Sequence, residues 1–213
     1  MKKIKSLYLL IAALSAVSAN AKTLTVAVDI SGSNPLVSVP AFAQIAGRYA
    51  GEQIAALDFG DTLEIRTIGD ASLANFRAEK IRITRKDRAD KVAQRVASFI
   101  ASLPSKDMPG SGETNLVGFF EFGNFDCANK GRILVLTDGI ESSPAMNAHK
   151  FMAGKALPLP DANLLSGCEV TMYGLGQNSA GEWPPQVIKN IRNGWAAWMK
   201  KAGASKFTPI INP

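Results

Sequence analysis

Five oxygen-bearing side chains at three places in the sequence could together hold a hard cation. Asp29, Ser31 and Ser33 stand in an Asp-x-Ser-x-Ser run, Thr114 lies in Ser111-Gly112-Glu113-Thr114-Asn115, and Asp138 sits in Thr137-Asp138-Gly139. Carboxylate and hydroxyl oxygens with no nitrogen or sulfur among them suit Mg²⁺, which takes six oxygens in a near-octahedral shell and keeps several waters. Mn²⁺ and Ca²⁺ are the other hard cations that such a set accepts. Ser31, Ser33 and Thr114 would be neutral direct ligands, with Asp29 and Asp138 bound directly or through water. Two carboxylates then balance one divalent ion, and a position held by water can be taken by a carboxylate from another molecule. Alone, an Asp-x-Ser-x-Ser run is weak, arising by chance in about one chain in twenty at average composition. The plain alternative is that both Asp residues cap helices and hold loops.

Position along the chain gives the set its weight. Residues 23–29, Thr-Leu-Thr-Val-Ala-Val-Asp, read as a strand that ends in a carboxylate and a Ser/Gly/Asn/Pro cluster. Residues 132–137, Arg-Ile-Leu-Val-Leu-Thr, are the clearest buried strand, closed by Asp138 and Gly139. Helical spacing marks residues 40–57, 89–103 and 115–125, and Pro184-Pro185 opens a last helix with the stripe Ile188, Ile191, Trp195, Trp198 and Met199. Further strands are expected at 61–68, 80–84 and 169–175. The second and third are joined by only about a dozen residues, too few for a helical crossover, which predicts an antiparallel pair. Strands alternating with helices imply an α/β fold with a mostly parallel sheet covered on both faces. Open sheets of that kind place ligands at the carboxyl ends of their strands, where Asp29 and Asp138 stand. Phe99 joins the buried face of the second helix, and Phe119, Phe120 and Phe122 read as core.

Asp29, Ser31, Ser33, Thr114 and Asp138 occur in the order and context of the metal-ion-dependent adhesion site of von Willebrand factor type A domains, and the chain resembles that family from residue 23 to about 204. The resemblance implies a doubly wound, Rossmann-like sheet with strand order 3-2-1-4-5 and the third strand antiparallel at the edge. A sixth strand of the full family pattern is missing or must come from residues 206–210. It also implies a non-enzymatic module, in adhesion or assembly, that binds a protein partner through an Asp or Glu of that partner. Met146, Phe151 and Met152, in the long irregular connection 142–167, are candidates for apolar contacts around the ion or for the core. Two other classes compete. A metal-dependent phosphohydrolase could use Asp29 as nucleophile, but the general acid expected two residues on is replaced by Ser31. A structural envelope subunit could keep the site as a vestige.

Composition and targeting set the compartment. Of 213 residues 46% are hydrophobic and 20% charged, a globular balance sufficient for one core. Lys2, Lys3 and Lys5, an apolar run at 7–17 and Ala19-Asn20-Ala21 make a signal peptide over residues 1–21, leaving residues 22–213 as a single domain with a short C-terminal tail. The run is about half of the roughly 20 residues that span a bilayer, so no membrane insertion of the mature chain is expected. Removing those lysines lowers the formal charge from +6 to +3, which argues against nucleic acid as a partner. A periplasmic or secreted bacterial protein follows. In such an oxidising compartment Cys127 and Cys168 should form a disulfide, because each lies just before a strand expected to neighbour the other. His149 is the one histidine, in a loop-like segment, and gives little basis for a His-based metal centre or a Ser-His-Asp triad.

Overall fold

The computed structural model describes residues 21–69, 78–106 and 111–211. The expected signal segment therefore lies outside the described residues except for Ala21.

Two apolar runs form the middle of the sheet. β1 (Thr23–Asp29) and β4 (Arg132–Leu136) are buried over nearly their whole length and pair in parallel. Their side chains alternate between two cores: Leu24, Val26, Val28, Leu134 and Leu136 enter one, and Ala27, Ile133 and Val135 the other. Strands that are apolar on both sides require cover on both faces. α1 (Pro40–Ala55) and α2 (Ala89–Ala101) cover one face, while α3 (Leu116–Phe122), α4 (Ala148–Met152) and α5 (Pro185–Lys201) cover the other. α1 and α2 pack closely because Gly47 lacks a side chain; a Cβ there would lie 2.7 Å from the Ala97 carbonyl oxygen.

β2 (Thr62–Ile68) runs parallel to β1, and β3 (Ala78–Arg82) returns antiparallel at the edge. On the other side β5 (Glu169–Tyr173) is parallel to β4. A short hairpin, β6 (Gln177–Asn178) and β7 (Gly181–Glu182), precedes α5. β8 (Lys206–Ile210) then adds in parallel to β5 and closes the order β3-β2-β1-β4-β5-β8. The sixth strand thus comes from residues 206–210. The chain winds outward through β2 and β3, then in the opposite direction through β4, β5 and β8, so the sheet order reverses between β1 and β4. The carboxyl ends of those two strands flank the switch point.

Cys127, in a turn before β4, is bonded to Cys168, just before β5. The bridge ties the amino edge of the sheet, opposite the switch point, and fits an oxidising compartment. No helix among the described residues is long and apolar enough to cross a membrane.

Two aromatic assignments need correction. Phe122 is 66% exposed, because at about 100° per residue it points away from the direction shared by buried Leu116, Phe119 and Phe120. Phe99 is 41% exposed at the border of the α2 stripe, with the Lys106 ammonium 4.3 Å from its ring centre. Within the long connection, Met146 and Phe151 are buried in the core and Met152 is half-buried, while His149 is exposed on α4.

Candidate functional site

The loops at the switch point are knitted together by backbone pairing. After β1, Ile30 N–H donates to Ile68 O, and Gly32 N–H and Ser111 N–H donate to Ser111 O and Ile30 O respectively. Thr114 and Ser142 exchange both backbone hydrogen bonds at 2.9 Å, which joins the loop before α3 to the loop after β4. Asn34 braces the strands themselves: its buried amide donates to Asp29 O at 2.8 Å and to Leu136 O at 3.3 Å. Gly139 makes the turn after Asp138 with φ +77°, and a Cβ there would meet Leu175 Cδ2 at 2.1 Å. The Gly139 carbonyl accepts from Trp195 Nε1–H, fixing this turn to α5.

These loops hold the five candidate ligands in one region. Asp29 ends β1, wholly buried; its Oδ1 accepts from Ser31 N–H at 2.9 Å and its Oδ2 from the Thr137 hydroxyl at 2.7 Å. Ser31 and Ser33 hydroxyl oxygens lie 3.4 Å apart, Ser31 buried and Ser33 exposed, so the site reaches solvent through Ser33. Asp138 follows β4, wholly buried, with Oδ1 accepting from Ile140 N–H at 2.9 Å. Thr114 is buried and is tied in through its backbone.

The electrostatics are those of a cluster of buried acids. Burial, followed by the charge of Asp29, pushes the Asp138 carboxyl up to about 7, opposed by Ile140 N–H and the Ser33 hydroxyl. Burial also raises Asp29, despite hydrogen bonds from Thr137 and Ser31. A third acid, Glu141, is pushed up to about 7 by burial, with Asp29 adding to the effect. Its Oε2 accepts from Leu116 and Val117 N–H at 2.8 and 3.1 Å, and Ser143 opposes the shift. The Ser33 and Ser143 hydroxyls ease the charged forms of Asp138 and Glu141, yet Asp138 Oδ2 and Glu141 Oε1 are buried without a hydrogen-bond partner. None of the ion pairs formed among the described residues involves any of these acids.

A buried carboxylate oxygen with no donor costs several kcal/mol in its charged form unless a cation or proton meets it. Two carboxylates and three hydroxyls supply the oxygen donors that a hard divalent cation accepts, so the residues fit such an ion. Among the described residues no three His, Cys, Asp or Glu side chains are grouped to hold a metal by themselves. A cation here would therefore depend on the hydroxyls.

Sequence reasoning missed Asn34, Thr137 and Glu141 as parts of this site. Asn34 directly follows the Asp-x-Ser-x-Ser run and precedes a proline, which is a turn signal, and Thr137 was visible beside Asp138. Glu141 left no signal, since an acid three residues past a turn ordinarily reads as solvated.

The sequence matches no family model and no curated protein. Among solved structures the chain is similar to the pilus adhesin SpaC from Lactobacillus rhamnosus GG in its open conformation, with 11% identity and a TM-score of 0.47. The likeness covers 90% of this chain and 28% of that one.

Proposed function

We propose that this chain is an exported von Willebrand factor type A module that binds a protein partner through a divalent cation, most simply Mg²⁺, with no enzymatic activity. The observation that carries the reading is the buried Asp138 Oδ2, unpartnered beside a second buried carboxylate and balanced by no lysine or arginine among the described residues.

Ser31, Ser33 and Thr114 would hold the ion through hydroxyl oxygens, and Asp29 and Asp138 would balance its charge. When bound, the ion supplies a Lewis-acid position for a carboxylate oxygen of an Asp or Glu on the partner. The chain's own residues do the rest. Thr137 and the Ser31 N–H fix both oxygens of Asp29, and Ile140 N–H turns Asp138 so that one oxygen stays free. Asn34 holds the two strand ends at a constant spacing. Ser33, at the exposed rim, leaves an approach from solvent.

The residue chemistry argues against phosphoryl transfer: Ser31 stands where such an enzyme needs a general acid, and a serine hydroxyl supplies no proton there.

The test is capture of envelope proteins on the oxidised chain with Mg²⁺, with EDTA, and with Asp138→Ala. The partner should be retained only by the wild type in Mg²⁺. Equal retention in all three would overturn the reading, and phosphate-ester turnover in Mg²⁺ would replace it with the hydrolase.

A further inference from the structure

We propose that Glu141 is a positioning residue of this site, tying the loop that carries Thr114 to the strand end that carries Asp138. The inference rests on the cation reading above and adds to it a residue outside the five ligands. Glu141 lies three residues after Asp138 and is wholly buried. Its Oε2 crosses to the start of α3 and accepts from both Leu116 and Val117 N–H, at 2.8 and 3.1 Å. One residue further on, Ser142 exchanges two backbone hydrogen bonds with Thr114. The segment 138–142 therefore grips Asp138 at one end, through the Ile140 N–H, and both sides of Thr114 at the other.

A simple helix cap does not account for this arrangement. α3 already has a local cap, since Asn115 Oδ1 accepts from Gly118 N–H at 2.8 Å. A second cap supplied by an acid 25 residues away, buried and with its other oxygen unpartnered, costs desolvation that a solvated Ser or Asp would avoid. What the distant acid adds to the Thr114–Ser142 backbone pair is a second tie, so that the two loops are held at two points rather than one. Residues behind a metal's direct ligands typically change its affinity by about 10–100-fold when they are removed, because they hold the ligands in place.

The experiment compares wild type, Glu141→Ala and Glu141→Gln as full oxidised chains in two measurements. Amide hydrogen exchange is followed in EDTA, and Mg²⁺ affinity by calorimetry. Glu141→Ala should speed exchange at Leu116 and Val117 at least about tenfold, leave Ser31 and Gly32 unchanged, and weaken Mg²⁺ about 10–100-fold. Glu141→Gln, whose amide oxygen can still accept both N–H groups, should hold affinity within about threefold of wild type. Faster exchange with unchanged affinity in Glu141→Ala would make Glu141 a helix cap alone and overturn the proposal. Equal loss in both variants would assign it a charge role instead. If Glu141→Ala does not fold, Glu141→Asp, one methylene shorter, is expected to show the same two changes. Absence of Mg²⁺ uptake by the wild type would overturn the cation reading itself. In that case unchanged exchange at Leu116 and Val117 would overturn the loop tie as well.

Discussion

The sheet buries carboxylates in two places and treats them in opposite ways. On β2, Glu64 is 3% exposed, and its oxygens receive Lys80 Nζ at 2.6 Å, Arg66 Nη2 at 2.6 Å and Nε at 3.1 Å, and the Thr25 hydroxyl at 3.4 Å. Burial works against its charged form, yet the hydrogen bonds and charges of Lys80 and Arg66 outweigh it and hold the carboxyl below its usual range. At the switch point Asp138 is buried at least as deeply, receives one backbone N–H, faces a second acid and is pushed up to about 7. The fold can therefore neutralise a buried acid from its own side chains, and at the switch point it does not. That difference is the physical ground of the proposal that a ligand from outside completes the second cluster.

The largest effect should come from a control remote from both clusters. Reducing the Cys127–Cys168 bridge, which closes a loop of sequence separation 41, should lower stability by about 4 kcal/mol in the chain-entropy account. Denaturant midpoints of oxidised and reduced protein measure this. The bridge lies at the amino edge, so Mg²⁺ affinity of the still-folded reduced form should not change.

Next is Arg66→Ala, which would leave buried Glu64 with the largely exposed Lys80 as its one remaining cation, beside the Thr25 hydroxyl. Breaking such a pair from one side should cost about 3 kcal/mol. The guanidinium also donates to the Gly123 carbonyl and stacks over Phe125, and both contacts would be lost with it. A loss under about 1 kcal/mol in urea titration would erase the contrast between the clusters.

The two clusters should also respond to pH with opposite sign. Asp138 has a folded value near 7 against 3.8 for the unfolded chain, so the folded state binds the extra proton. In EDTA its contribution is fully present below about pH 4 and is lost as pH rises through 7. Asp138→Asn should remove Asp138's part of that dependence, leaving the part from Glu141, and, at pH 8, stabilise the metal-free protein by about 1–3 kcal/mol. Glu64, held below 4.5, contributes above that pH and loses its contribution as pH falls through its folded value. Thermal unfolding from pH 3 to 8, with and without Mg²⁺, resolves both arms. The smallest effect belongs to Lys80→Ala, under about 1 kcal/mol, because the ammonium is 70% exposed and screened by solvent.

Much of this contrast was written locally in the sequence and some of it was not. The strands at 23–29 and 132–136 were legible because each is a short, mostly apolar run that gives way to an Asp and a turn. The strand order that sets both beside the switch point was implied only by the family resemblance. The disulfide followed from two cysteines each preceding neighbouring strands. Phe122 was misread because three aromatics in four residues look like core until the helical angle separates them. Glu64 and Glu141 were invisible for a different reason. Each is made meaningful by partners in another element, Lys80 across a strand pair and Leu116 across two loops, and no local pattern encodes those distances.

Calorimetric titration of Mg²⁺ into the metal-free oxidised chain, beside Asp29→Ala and Asp138→Ala, tests the central claim most directly. One Mg²⁺ per chain should bind the wild type, and affinity should fall by at least about 100-fold in Asp138→Ala, since each missing charge-bearing ligand is worth roughly 3 kcal/mol. No uptake by the wild type, or equal uptake by all three proteins, would contradict the account.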